Sequence, residues 1–231
     1  MPLRAIIFDF NGVIADDETP HLLMFQQALR GEGLSLTTED YYGTYLGMDE
    51  RNCLAALLKK AGGAHDPARA QRIHDRKVSL FRAYTATHKT ELFPGVVEFV
   101  LEAGSRYRLA VASGGKREQI ADALKGSPIE HAFPLIVAAE DTTIGKPDPE
   151  IYLLTLAKLN ERPPGPEPPL MAAECLVIED SLAGIQSAKA AGMTVVGVAT
   201  TYPAAALKEA DAVYPSLGAV SLAQIEQLFR E

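Results

Sequence analysis

The sequence predicts an α/β fold, a doubly wound parallel sheet of Rossmann-like type with a helical domain inserted after the first strand. Three observations predict it. Short, continuously apolar runs recur, the pattern of strands buried on both faces of a parallel sheet. Amphipathic helix-period segments alternate with them, as in a sheet covered by helices on both sides. One interval, between Phe10 and Leu109, is far longer than a strand-to-strand crossover needs and reads as helical.

Arg4–Phe10 is the first strand, apolar until Asp9. In the long interval Leu22, Phe25 and Leu29 share one helical face, Leu54, Leu57 and Leu58 a second, and Ile73, Leu80, Phe81 and Tyr84 a third. Pro94-Gly95 closes it. The division that follows is 1–16 and 91–231 for the α/β core and 17–90 for the helical insertion. Beyond it, strands are expected at Leu109–Ser113, Leu135–Ala139, Cys175–Glu179, Thr194–Ala199 and Ala212–Tyr214. Helical faces fall between them: Val97, Val100 and Leu101, then Ile120, Ala123 and Leu124, the segment Glu150–Leu159, and Ile185 with Ala188. Five of the eight residues from Arg162 to Pro169 are proline, which predicts a stiff extended loop, with peptide recognition as the less favoured alternative.

At 231 residues, 47% hydrophobic and 23% charged, the chain has ordinary globular composition. No apolar run approaches the roughly 20 residues of a membrane span, and Met1–Phe8 reads as a buried strand rather than a signal peptide. The net charge is −8 with no basic stripe to offset it, so nucleic acid is set aside as a partner. Cys53 and Cys175 stand alone, without metal-ligand spacing, so a reducing cytoplasm is the expected location. The oligomeric state is left open, with a monomer favoured.

In a doubly wound sheet, ligands bind beyond the carboxyl ends of the strands. Four clusters sit there. Phe8-Asp9-Phe10-Asn11-Gly12-Val13 offers a carboxylate as nucleophile or metal ligand, or else an ordinary turn. Val111-Ala112-Ser113-Gly114-Gly115-Lys116 offers a hydroxyl and two glycines at a helix start, an anion cradle or simply a cap. The chain has neither Gly-x-Gly-x-x-Gly nor a P-loop, so nucleotide motifs are absent. Gly145-Lys146-Pro147-Asp148-Pro149 holds a lysine on a rigid turn, where it can neutralise a phosphoryl group; taken alone, the favoured reading is a surface turn ahead of the helix Glu150–Leu159. Val177-Ile178-Glu179-Asp180-Ser181 ends an apolar strand in two acids that suit a hard cation, Mg2+, or that cap the next helix. Nucleophile, oxyanion donors, cation and metal together are the parts of metal-assisted phosphoryl transfer.

The ordered set Asp-x-Asn-Gly-Val, Ser-Gly-Gly, Gly-Lys-Pro-Asp-Pro and Glu-Asp-Ser resembles the haloacid-dehalogenase-like hydrolase superfamily. It looks closest to the phosphatase and β-phosphoglucomutase branch, in which a helical cap lies between the first two strands. The resemblance implies that Asp9 is a nucleophile forming an aspartyl-phosphate and that Ser113 and the Gly114 backbone hold phosphoryl oxygens. It implies that Lys146 bridges nucleophile and phosphoryl group, and that Asp9, the Asn11 carbonyl, Glu179 and Asp180 bind Mg2+. Cap residues His21 and Lys77 match positions that often face the site, with ordinary surface placement the favoured alternative. Gly47-Met48-Asp49-Glu50-Arg51 matches the specificity loop, where mutases place an Arg aligned with Glu50 and Arg51 is one position off.

The departure is Asn11. Phosphatases and mutases of the family carry an Asp there that protonates the leaving oxygen and then activates water; an amide does neither. The leading expectation is an Mg2+-dependent phosphatase acting on a small phosphorylated metabolite, slowed by Asn11. A non-catalytic binder or sensor of such a metabolite is the alternative, and a phosphomutase comes third.

Overall fold

The computed structural model describes residues 1–45, 50–62 and 66–230, the side chain of Arg51 excepted. They form two compact units, 1–16 with 92–231, and 17–91.

The chain begins with strand β1 (Ala5–Phe8) and the short β2 (Ala15–Asp16). The second unit follows with helices α1 (Glu18–Arg30), α2 (Thr38–Asp40), α3 (Glu50–Lys60) and α4 (Pro67–Thr85), and a π-helical turn at Tyr41–Tyr45. Then come β3 (Glu91–Leu92), α5 (Val96–Gly104), β4 (Arg108–Ala112), α6 (Arg117–Leu124), β5 (Leu135–Val137) and α7 (Glu150–Glu161). The chain finishes with β6 (Cys175–Glu179), α8 (Leu182–Ala190), β7 (Thr194–Val198), β8 (Ala212–Tyr214) and α9 (Leu222–Gln227).

The main sheet has six strands in the order β5-β4-β1-β6-β7-β8, parallel throughout. A second, two-stranded sheet joins β2 and β3. All six strands of the sequence reading are present: β6 and β8 keep the expected bounds, β4 lies one residue earlier, and β1, β5 and β7 stop one or two residues short at their carboxyl ends, β1 also starting one residue later. Phe8 lies opposite Val111 on one side and Ile178 on the other. That register brings Asp9, Ser113 and Glu179 to the same carboxyl edge although they are far apart in sequence.

The continuous apolarity of the strands has its reason in two cores. Ile6, Phe8, Val111 and Ile178 face one layer with Phe99, Val100 and Ile120. Ala5, Ile7, Ala112 and Val177 face the other with Ile151, Tyr152 and Ile185. Successive residues point to opposite faces, so both must be apolar. One helical face differs from expectation. On α5 the buried residues are Val96, Phe99, Val100 and Ala103, while Leu101 is 50% exposed. The buried set obeys i, i+3, i+4, i+7, and Leu101 lies one residue, about 100°, beyond it.

The proline-rich segment is tied to the chain itself. Arg4, just before β1, donates to the Pro168 carbonyl at 2.7 Å, and Arg108, opening β4, donates to that of Pro164 at 2.8 Å. Carbonyls engaged in this way leave the loop poorly suited to present a peptide ligand.

In the helical unit Leu22, Phe25, Leu29, Leu54, Leu57, Leu58 and Ile73 share one core, with Leu80 packed against it. Among the described residues no helix is long and apolar enough to cross a membrane.

Candidate active site

Asp9 is the first residue beyond β1, and its N–H still donates to the Ile178 carbonyl at 3.0 Å, which keeps the carboxylate at the sheet edge. Lys146 reaches it from the turn ahead of α7. That turn is fixed at Asp148, whose Oδ1 accepts from the Glu150 N–H at 2.9 Å and whose carbonyl accepts from Ser187 Oγ at 2.6 Å. Lys146 Nζ donates to Asp9 Oδ1 at 2.8 Å, to Glu179 Oε1 at 2.6 Å and, more weakly, to the Ala112 carbonyl at 3.4 Å. One buried ammonium thus ties together the ends of β1, β4 and β6.

Glu179 is wholly buried and accepts five hydrogen bonds. Its Oε1 takes Lys146 and the Tyr152 hydroxyl; its Oε2 takes the N–H groups of Asp180 and Ser181 and the Ser181 hydroxyl. The helix cap is supplied by Ser181, whose Oγ accepts from Gly184 N at 3.0 Å. The Asp180 carboxylate is therefore not spent as the cap of α8. The N-terminal end of the α8 dipole also favours the negative charge of the neighbouring acids.

Gly184 makes this possible, because a Cβ there would stand 1.7 Å from Glu179 Oε1. Gly184→Ala should cost about 2 kcal/mol by overpacking, lowering Tm by roughly 4–8 °C. Gly43→Ala, where a Cβ meets nothing within 4 Å, should change stability by no more than about 0.5 kcal/mol. Thermal unfolding of the two variants checks the contrast.

Ser113 Oγ accepts from Gly115 N at 3.0 Å and donates to Asn11 Oδ1 at 3.4 Å, so the Asn11 side chain turns toward the hydroxyl. Gly114 beside them is exposed. Gly12 adopts φ +78, and a Cβ there would come within 2.0 Å of Asp180 Oδ2. Only glycine suits both the left-handed backbone and that approach. The Thr200 hydroxyl donates to the Gly12 carbonyl and pins the loop from the end of β7.

Asp9, Glu179 and Asp180 each place a carboxylate oxygen within 4.8 Å of the others, all buried. Two of these three carboxylates, Asp9 and Glu179, hold Lys146. Burial pushes the Asp9 carboxyl up to about 7, against the pull of the Lys146 charge. Burial acts on Glu179 in the same sense, but Lys146 and the hydrogen bonds from Lys146, Tyr152 and Ser181 outweigh it and hold that acid low. For Lys146 burial opposes the charge, and Asp9 with Glu179 overcomes it, so the ammonium stays charged far above neutrality. Burial and then the Glu179 charge raise the Tyr152 phenol, which remains a donor. The surplus of negative charge and the all-oxygen donor set fit a hard divalent cation.

In the helical unit, His21 pairs with Asp17 at 3.5 Å and stacks on Phe81, ring centroids 4.1 Å apart. Lys77 Nζ donates to Glu50 Oε2 at 2.6 Å, and His74 Nδ1 lies 2.9 Å from Glu50 Oε1. Burial works against the Glu50 charge, yet His74 and Lys77 bring its pKa down to about 2. Glu50 is thus an ionised acid holding Lys77. Gly47, Met48 and Asp49 lie outside the described residues, as do His65 and the side chain of Arg51. Sequence reasoning missed Tyr152, Thr200 and the Glu50–His74 pair; each is made by contacts distant in the chain and carries no local signal.

A buried acid–lysine site at the carboxyl edge of a doubly wound sheet defines a class of hydrolytic α/β enzyme, and the comparisons with known proteins narrow it. Residues 6–198 match the haloacid dehalogenase-like hydrolase family, and the chain belongs to that family. Protein CbbY of Rhodobacter capsulatus is 30% identical over 99% of this chain and 100% of its own length. The phosphorylated carbohydrates phosphatase of Thermotoga maritima is 31% identical over 83% of this chain and 82% of its own. Among solved structures, CbbY from Rhodobacter sphaeroides in complex with phosphate superposes with a TM-score of 0.79 at 26% identity, covering 94% of this chain and 95% of that one. An Asp-to-Asn mutant of the same protein, in complex with xylulose-1,5-bisphosphate, gives a TM-score of 0.78 at 26% identity and the same coverage.

Proposed function

We propose that this hydrolase is an Mg2+-dependent phosphatase acting on a small phosphorylated metabolite of the sugar-phosphate class, and that Asn11 attenuates it. The observation that carries the reading is the Lys146 ammonium held between Asp9 and Glu179 at the sheet edge, 2.8 Å and 2.6 Å away. Asp9 attacks phosphorus, and the phosphoryl group passes to its carboxylate. Lys146 is placed to offset the charge shared by Asp9 and the transferring group, which is where catalysis of this reaction resides. Ser113 and the Gly114 N–H supply donors to the phosphoryl oxygens. Water then releases phosphate from Asp9. The leaving oxygen must depart without a proton from Asn11, and losing a general acid costs about 10²–10⁴ in rate.

Asp9, Asp180 and the Asn11 carbonyl are the residues that would hold Mg2+. Glu179, already accepting five hydrogen bonds, contributes chiefly as the charge that fixes Lys146. The ion supplies charge neutralisation at the phosphoryl oxygens. The relatives support the substrate class, since one is named for phosphorylated carbohydrates and another holds a sugar bisphosphate.

The test is a panel of phosphorylated metabolites and aryl phosphates assayed with Mg2+ and with a chelator. Hydrolysis that requires Mg2+ supports the reading; no release of phosphate from any of them rejects it. The Asn11 amide favours one other reading, a binder that recognises the same phosphates without turnover, and binding without hydrolysis would establish it.

A pH dependence follows for the metal. With its folded pKa near 7, above the ordinary 3.8, Asp9 costs the metal-free fold stability as pH rises between those values, and the full cost is present above 7. Mg2+ binds the ionised form, so below pH 7 a proton must leave first and affinity falls about tenfold per pH unit. Mg2+ should therefore raise Tm more at pH 8 than at pH 6. Asp180→Asn should remove most of that rise. Equal Tm shifts at the two pH values would place the ion away from Asp9.

A further inference from the structure

Tyr152 is a buried polar group in the core unit that the reaction scheme leaves unused. Its ring packs between α7 and the sheet beside Ile151 and Val177, with none of its surface exposed. A phenylalanine would fill the same space. The hydroxyl is what distinguishes it, and it donates to Glu179 Oε1 at 2.8 Å. That is the oxygen which also accepts from Lys146 at 2.6 Å. The ammonium lies 5.1 Å from the centre of the Tyr152 ring, with Asp9 Oδ1 2.8 Å from it.

The lysine is thus shared between two carboxylates, and Tyr152 touches only one of them. A carboxylate oxygen has a limited number of accepting sites, so a second donor weakens its hold on the first. Buried acceptors are kept paired. Without the phenol, the donor left to Glu179 Oε1 is Lys146, which would be drawn in more tightly and away from Asp9.

We propose that Tyr152 is a positioning residue: its hydroxyl, bonded to Glu179 Oε1, sets how Lys146 divides itself between Glu179 and Asp9. The kinetic consequence rests on the phosphatase reading; the geometric one does not. The ring keeps the lysine's apolar flank, and the hydroxyl tunes its direction.

Tyr152→Phe in the full chain tests this. With 4-nitrophenyl phosphate and Mg2+, kcat should fall about tenfold, the scale of one hydrogen bond to a charged group, while KM changes by less than about twofold. Ile151→Ala, on the same helix and buried in the same layer, should lower Tm and leave kcat within about twofold of the parent below its melting range. A crystal structure of Tyr152→Phe should show Lys146 Nζ more than about 3.2 Å from Asp9 Oδ1, beyond a normal hydrogen bond. An unchanged kcat, an equal kcat loss in Ile151→Ala, or a retained Nζ–Oδ1 bond overturns the proposal. If the parent protein hydrolyses no phosphate, the phosphatase reading fails, and the distance in that crystal structure still decides the role of Tyr152.

Discussion

Asn11→Asp should raise the turnover of alkyl phosphates such as sugar phosphates by about 10²–10⁴, a barrier reduction of roughly 3–5 kcal/mol. Under the proposed function the amide delivers no proton to the departing oxygen, so the parent's rate would depend on how well that oxygen leaves by itself. Aryl phosphates leave readily and should gain much less. The measurement is the ratio of alkyl to aryl turnover in the two proteins under the same Mg2+. An unchanged ratio would show that proton supply is not what limits the chain, and the binder reading would move ahead. Spontaneous conversion of Asn11 is disfavoured by the backbone. The Gly12 N–H, which an Asn-Gly ring closure requires, donates to the Ala15 carbonyl at 2.9 Å.

Asp9→Ala should abolish phosphate release, a loss of at least about 10⁴ in kcat, because no acceptor for the phosphoryl group is left at that strand end. The fold should survive. Asp9 lies beyond the last ladder position of β1, and Lys146 keeps Glu179 as a partner. Because burial raises the Asp9 carboxyl to about 7, removing it relieves a cost that the metal-free protein bears above that pH. Tm without Mg2+ should therefore not fall at pH 8, while hydrolysis disappears. Residual hydrolysis at the parent rate would move the nucleophile elsewhere.

The inner strands β1, β4, β6 and β7 were legible because each is buried on both faces, which leaves a run of apolar residues that no amphipathic helix imitates. The edge strands β5 and β8 are only partly buried and were legible by their apolar composition. The site residues Asp9, Ser113, Lys146, Glu179 and Asp180 were legible for a related reason: each sits where an apolar run stops or a proline turn begins. What escaped was decided by neighbours distant in sequence. Tyr152 reads as one more large apolar group on α7, and only the position of Glu179 turns its hydroxyl into a partner. Glu50 carries no sign in sequence that His74 and Lys77, a helix away, will hold it. The α5 face was misplaced because Val97 and Leu101 are as hydrophobic as the residues that are buried; periodicity alone did not choose between adjacent stripes.

The central place of β1 has a consequence for how the polypeptide acquires its shape. The first strand to leave the ribosome must wait for both flanking partners, since Ala5 pairs with Arg108 on one side and Cys175 on the other. The helical unit, by contrast, is one uninterrupted stretch, so contact order favours its closing while β1 still lacks its partners. An apolar strand kept waiting for partners is a hazard for misassembly. The acid directly after β1 gives the waiting segment a charge at its end, the kind of residue that flanks apolar strands and discourages their pairing with the wrong partner.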